Sequence, residues 1–296
     1  MSGDAPARSA LYDSVAEQTA AVVIRRYSTS FGLASRLLGG DVRGHVENIY
    51  ALVRIADEIV DGAAAESGID PVTVARILND LERDTDDAMA VGYSANLVVH
   101  AFARTARATG FGSELTAPFF ASMRADLSAT EHDDASFDSY VYGSAEVVGL
   151  MCLRAFLLGH TVSETDDATL VTGARRLGAA FQKVNFLRDL AADFEELGRS
   201  YFPGVDVTSF TEADKVRLLD DIDADLAVSA SVIPMLPLSS RRAVSLAQGL
   251  FADLSARLRR TPADELVRTR VRVPNPVKLR IAAAAMAGRP VRGTIL

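Results

Sequence analysis

Residues 41–62 read DVRGHVENIYALVRIADEIVDG, and two stripes run through them at the period of an α-helix. Val42, Val46, Ile49, Val53, Ala56 and Val60 recur at intervals of three and four, a face suited to burial. Asp41 fits an N-cap and Gly62 a C-terminal stop. Beside the apolar face lie Tyr50, Arg54, Asp57 and Asp61, spaced four, three and four, so these side chains share a second side of the helix. Asp57 and Asp61 then stand about 6 Å apart along the axis. Like charges at that spacing repel and Asp is a poor helix former, so neither electrostatics nor propensity accounts for the pair. Arg54 offsets part of the repulsion, and a bound cation would relieve it better.

The same period fills residues 71–90, 96–109, 115–128, 137–158, 167–197, 212–230, 239–259 and 277–287. Turn residues separate them: Gly39-Gly40, Gly110, Gly112, Gly159 and Gly198, with the longest loop expected at 198–209 around Pro203 and Gly204. No run alternates strictly between polar and apolar, so the chain reads as all-α. No linker, charge block or internal repeat divides it, and residues 1–296 read as one domain sharing one core.

Composition narrows the function. At 49% apolar and 24% charged the chain is globular, and its net charge of −8 argues against a general nucleic-acid binder. A single cysteine, Cys152, cannot form an internal disulfide or a thiolate metal cage, which fits a reducing cytoplasm. The opening MSGDAPARSA lacks the apolar core of a signal peptide. The most apolar stretch, 147–158, is too short to span a bilayer and holds Arg154. A cytoplasmic protein is expected.

Residues 182–193 repeat the acidic arrangement. Gln182, Asn185, Asp189 and Asp193 are spaced three, four and four beside an apolar face of Leu177, Phe181, Val184, Ala191 and Phe194. Arg188 adjoins the stripe, and Arg199 and Tyr201 follow. A single DxxxD is commonly a solvated acidic face; two such stripes, each with its own arginine on an otherwise apolar helix, point to a shared ligand. Oxygen ligands without His or Cys favour a hard cation, Mg²⁺ with Mn²⁺ as substitute. Mg²⁺ usually shares its coordination with substrate phosphates, and guanidinium groups bind phosphate oxygens bidentately. Competing chemistries lack their residues. None of His45, His100, His132 and His160 follows a Glu at di-iron spacing, and no phosphate-binding, dinucleotide-binding or nucleophile-elbow motif occurs.

These segments resemble the squalene/phytoene synthase family, in wording most like its bacterial phytoene synthases. Tyr27-Ser28-Thr29-Ser30-Phe31 is similar to the family's opening serine motif, and Tyr50 to Asp61 to its first aspartate-rich motif. Tyr140-Val-Tyr142-Gly-Ser-Ala-Glu146-Val-Val-Gly149 is similar to the segment lining its reaction cavity. Gln182 to Asp193, running on to Gly198-Arg199-Ser-Tyr201-Phe-Pro203, is similar to the second acidic motif. The order, spacing and flanking residues agree along nearly the whole chain.

The resemblance implies an isoprenoid-synthase helical bundle with a central apolar cavity and Mg²⁺-dependent, head-to-head condensation of two geranylgeranyl diphosphates to phytoene, without NADPH. It implies that Asp57, Asp61, Asn185 and Asp189 hold the metal with support from Asp193. Ser28, Ser30, Tyr50, Arg54, Gln182, Arg188, Arg199 and Tyr201 are then expected to contact or position diphosphate. A carbocation demands a dry site, for which Val147, Val148, Gly149, Met151, Cys152 and Phe156 are candidate linings. Tyr142 is expected beside the cation path, offering a π face and a hydroxyl. The chain departs from the family pattern at Tyr27, Thr29 and Glu146, where His, Lys and Gly are common. Two shorter farnesyl chains, or prenyl transfer to another acceptor, are the alternative reactions. Greasy substrates and the basic stretch Arg268-Thr-Arg270-Val-Arg272, with Lys278 and Arg280, suggest peripheral contact with anionic lipid.

Overall fold

A computed structural model describes residues 8–28, 30–128, 131–197 and 201–288, with backbone alone for residues 30, 65 and 191–197. The described residues form fourteen α-helices: α1 (Arg8–Tyr27), α2 (Ser30–Ser35), α3 (Gly40–Val60), α4 (Ala63–Glu66), α5 (Pro71–Val91), α6 (Leu97–Thr109), α7 (Ser113–Ala125), α8 (Asp134–Val141), α9 (Val147–Phe156), α10 (Glu164–Leu197), α11 (Glu212–Val232), α12 (Leu238–Arg260), α13 (Ala263–Leu266) and α14 (Asn275–Met286). The all-α reading is borne out, with no β-strand among the described residues.

Local chemistry sets many of the ends. Asp70 accepts from Thr73 N at 3.0 Å with Pro71 in the first turn, and α5 ends at Gly92 in the left-handed region. Asn96 caps α6, and Thr211 with Asp214 forms a capping box on α11. Asp41 is not the N-cap of α3. Gly39 takes that place, and Asp41 lies in the first turn, where its charge faces the positive end of the helix dipole.

Helix α1 was not anticipated. Its buried stripe is Ala16, Ala20 and Ile24, mostly small side chains that give little amphipathic signal. Small residues let α1 lie close along α3 and α6. The continuous helix expected over 137–158 is instead broken by a π-helical turn, Tyr142–Glu146, between α8 and α9. The break coincides with close packing against α7. A Cβ on Gly143 would lie 2.2 Å from Pro118 O. Further along, α9 and α10 cross with backbones in near contact, since a Cβ on Gly149 would meet Ala174 O and one on Gly178 would meet Ala145 O, each at 2.6 Å.

The apolar side chains gather in two main bodies. One unites α1, α3, α5, α6, α7 and α9 around Ile49, Leu52, Phe102, Phe119 and Phe120. The other unites α8, α10, α11 and α12 around Val184, Leu187, Leu219, Ile222 and Leu258. The site lies in the seam between them, walled also by smaller apolar groups around Leu153, Val232 and Val244 and around Leu38 and Ala243.

A polar cluster pins α10 to α11. Lys183 Nζ, largely buried, donates to Asp221 Oδ2 at 2.5 Å and Asp225 Oδ2 at 2.9 Å, and Arg176 donates to Asp225 Oδ1 at 3.0 Å. Despite burial, these carboxylates raise the Lys183 pKa, so the pair's stabilisation is intact at neutral pH and fades only as pH climbs past the usual lysine range. Lys183→Met leaves Asp225 buried with one partner fewer. A loss of about 3 kcal/mol in unfolding free energy by urea titration is expected, with the α10 stripe facing the cavity otherwise unaltered. A loss below about 1 kcal/mol would show the cluster to be dispensable.

Candidate active site

A cavity of about 780 Å³ opens in the seam, walled by α2, α3, α9, α10, α11 and α12. Its interior is apolar: Val46, Ile49, Val148, Cys152, Phe156, Leu177 and Val244 among others. Burial pushes the Cys152 thiol up to about 12, so it belongs to the apolar wall and is no nucleophile. The lining also carries polar side chains. Tyr50, Arg54, Asp57 and Asp61 come from α3, and Gln182, Asn185, Arg188 and Asp189 from α10. Both stripes read in the sequence therefore meet one cavity.

The α3 stripe carries an electrostatic load. Desolvation pushes the Asp57 carboxyl up to about 7; Arg54 opposes that shift, while Asp61, Asp126 and Glu58 add to it. Arg54 spends one end on Glu58 and lies over the Tyr27 ring at 4.6 Å, yet its Nε is buried with no hydrogen-bond partner. A buried donor without an acceptor is costly and suits an incoming anion. Tyr50 is half-buried, and its phenol bonds Ser28, whose Oγ also accepts Phe31 N at 3.0 Å. Ser28 thus starts α2 and steadies Tyr50, and is not itself part of the cavity lining.

On the α10 side, Asp189 is held by two arginines. Arg188 Nε donates to Oδ1 at 2.9 Å and its Nη2 to Oδ2 at 2.5 Å; Arg270 Nε donates to Oδ1 at 2.7 Å and its Nη2 to Oδ2 at 3.1 Å. Tyr201 is buried on the lining, stacked on Phe186 with ring centroids 4.0 Å apart. The side chains of Asp193 and Ser30, and Arg199 altogether, lie outside the described residues.

The structure corrects the placement of Tyr142. It is not part of the lining; it packs on the first apolar body with the Arg175 guanidinium 5.1 Å from its ring centroid. The π-turn begins at this residue and changes the register that an unbroken α-helix would have kept. Tyr140 lines the cavity instead, buried, its hydroxyl donating to Asp126 Oδ1 at 2.7 Å. Burial first, then Asp126, raises its pKa well above the usual phenol value, so Tyr140 stays protonated. Of the proposed apolar lining, Val148, Gly149, Cys152 and Phe156 face the cavity, whereas Val147 and Met151 belong to the neighbouring core.

Two charged lining residues escaped the sequence reading. Asp126 has no acidic partner one helical turn away, hence no stripe to reveal it. Arg270 was grouped with a basic stretch facing lipid, but its guanidinium is engaged by Asp189.

The donors fit a hard cation. They are oxygens only, one carboxylate is buried at an energetic cost, and an unpartnered Arg donor lies nearby. Among the described residues no three His, Cys, Asp or Glu side chains converge to cage an ion by themselves.

A family model described as squalene/phytoene synthase matches residues 24–276. The chain belongs to the squalene/phytoene synthase family. It is therefore an enzyme of the prenyltransferase kind. Phytoene synthase of Mycobacterium tuberculosis is 27% identical over 286 residues, covering 90% of this chain and 88% of that protein. The 15-cis-phytoene synthase of a Paracoccus species is 29% identical over 190 residues, covering 63% of this chain and 59% of that one. Among solved structures, a dehydrosqualene synthase in complex with ligand superposes with a TM-score of 0.75 at 20% identity, covering 94% of this chain and 98% of the other. A squalene synthase from Alicyclobacillus acidocaldarius gives 0.71 at 18% identity, covering 84% and 95%. These structures show that the family's helical fold is shared. No described helix is long and apolar enough to cross a membrane.

Proposed function

We propose that this enzyme is a phytoene synthase, joining two geranylgeranyl diphosphates head to head through prephytoene diphosphate. The observation that carries the reading is the meeting of both carboxylate stripes on one apolar cavity of about 780 Å³. Asp57 and Asp61 from α3, with Asn185 and Asp189 from α10, would hold Mg²⁺, and Asp193 would support them. The metal's contribution is to neutralise diphosphate and make it a good leaving group. Arg54 and Arg188, both on the cavity lining, would take diphosphate oxygens, and Gln182 and Tyr50 would orient them.

Loss of the first diphosphate leaves an allylic cation. The apolar walls keep water from it, and Phe31, Phe181, Phe186 and Tyr201 offer π faces around the cavity. Attack by the second chain's double bond moves the positive charge onto that chain. Loss of a proton, with the departed diphosphate as the base at hand, closes the ring to give the cyclopropyl intermediate. Its ionisation, rearrangement and loss of a proton give the hydrocarbon, with no hydride required. Tyr140, kept protonated, acts as a hydrogen-bond donor at Asp126 and not as a base.

Purified enzyme with Mg²⁺ and geranylgeranyl diphosphate alone is expected to yield a C40 hydrocarbon, identified by mass and chromatography. The structural likeness to squalene and dehydrosqualene synthases supports a second reading with two farnesyl diphosphates. A C30 product from farnesyl diphosphate and none from the longer substrate would replace the first reading with this one. Diphosphate release without any hydrocarbon would point to another prenyl acceptor.

A further inference from the structure

Tyr27 is the last residue of α1, and its side chain fills neither the core nor the cavity. It is 53% exposed and is not part of the lining. Ile24, three residues earlier on the same side of α1, does line the cavity, so this end of the helix stands at the cavity's edge. The Arg54 guanidinium carbon lies over the Tyr27 ring, 4.6 Å from its centroid, which is the arrangement of a cation on a π face.

The corner that carries Tyr27 is fixed on both sides. Ser28 N donates to Ile24 O at 3.0 Å and closes the last turn of α1. Ser28 Oγ accepts Phe31 N at 3.0 Å and opens α2. The Tyr50 phenol also bonds Ser28. Tyr50 and Arg54 are one turn apart on the α3 stripe, so two successive residues of the corner hold two successive members of the stripe. Ser28 does so through a hydrogen bond and Tyr27 through its ring.

The two kinds of hold differ in what they leave free. A carboxylate that binds a guanidinium uses up its N–H donors, whereas an aromatic face attracts the charge and needs no donor directed at an acceptor. Arg188 shows the first case, with Nε and Nη2 both donating to Asp189. Arg54 gives Nη2 to Glu58 and keeps a buried Nε without a partner. Glu58 lies one turn further along α3, and a single contact at Nη2 leaves the guanidinium free to pivot. The ring supplies a second point of restraint without occupying Nε. We propose that Tyr27 is a positioning residue, which holds the Arg54 guanidinium with its Nε donor ready for a diphosphate oxygen. This rests on the reading of Arg54 as a diphosphate ligand and is independent of which hydrocarbon is made.

Two measurements on the full chain test it: calorimetric binding of inorganic diphosphate with Mg²⁺, and steady-state turnover of geranylgeranyl diphosphate. Tyr27→Leu is expected to weaken diphosphate binding about fivefold and to raise KM by about the same factor, with kcat within about twofold of wild type. Tyr27→Phe and Tyr27→Trp keep a π face and should stay within about twofold of wild type in both measurements. In an Arg54→Met background Tyr27→Leu should change nothing further, since a residue that acts only through Arg54 has nothing left to act on. The thermal midpoint of Tyr27→Leu should match that of wild type, because the side chain it replaces is exposed. Wild-type affinity in Tyr27→Leu overturns the proposal, as does a wild-type protein that binds no diphosphate. So does Tyr27→Phe as impaired as Tyr27→Leu, which would assign the role to the hydroxyl. An equal loss from Tyr27→Leu in the Arg54→Met background, or a lowered thermal midpoint accompanying the loss of affinity, overturns it too. Diphosphate binding that responds to Tyr27 as expected, in an enzyme that makes no hydrocarbon, would instead overturn the reaction assigned above and leave the role of Tyr27 standing.

Discussion

Asp57→Asn, supplied with Mg²⁺ and geranylgeranyl diphosphate, is expected to release diphosphate at about one thousandth of the wild-type rate. A metal-binding carboxylate contributes several kcal/mol of charge stabilisation in the transition state, and each 1.36 kcal/mol is a factor of ten. The loss should fall on kcat, since the other stripe and the arginines still bind substrate. Stability should not fall with it. The carboxyl is pushed up to about 7 chiefly by burial, so its charge works against folding near neutral pH, and an isosteric amide removes that cost. Steady-state diphosphate release beside a urea titration separates the two. Activity within tenfold of wild type would remove Asp57 from the metal site.

Arg270→Ala should lower kcat/KM about a hundredfold. In the described structure Arg270 grips Asp189 with two parallel hydrogen bonds, although half of its side chain is exposed. An arginine engaging a carboxylate that is also read as a metal ligand is placed to move onto a diphosphate oxygen once the metal takes the carboxylate. Arg270→Lys should rescue little, because a point charge cannot reproduce the planar fork. The thermal midpoint should change little, as the pair is partly solvated and Arg188 still holds Asp189. A variant with wild-type kinetics and a lowered midpoint would make Arg270 a purely structural strap.

The carboxylate stripes were legible because they depend on local geometry. Residues four apart on a helix lie on the same side whatever the rest of the chain does, so Asp57 with Asp61 and Gln182, Asn185 and Asp189 reach one cavity as read. Helix α1 was not legible, because alanines pack closely without producing apolar contrast. The reading of 137–158 as one helix failed at the π-turn, where packing against Pro118 O and Ser122 leaves room only for Gly143. That local failure carried a functional one, exchanging Tyr140 for Tyr142 at the cavity wall.

The sequence by itself determined the helical class, the two acidic stripes and the family, since each rests on spacing within segments and on the order of those segments along the chain. Only the tertiary structure decided that Tyr140 with Asp126 faces the cavity, that Arg270 closes on Asp189, and that the Tyr27 ring lies against Arg54. Arg270 and Asp189 are 81 residues apart in the chain. Contacts of that kind follow from how whole helices pack, because the side-chain period that orders one helix says nothing about which helix it will meet.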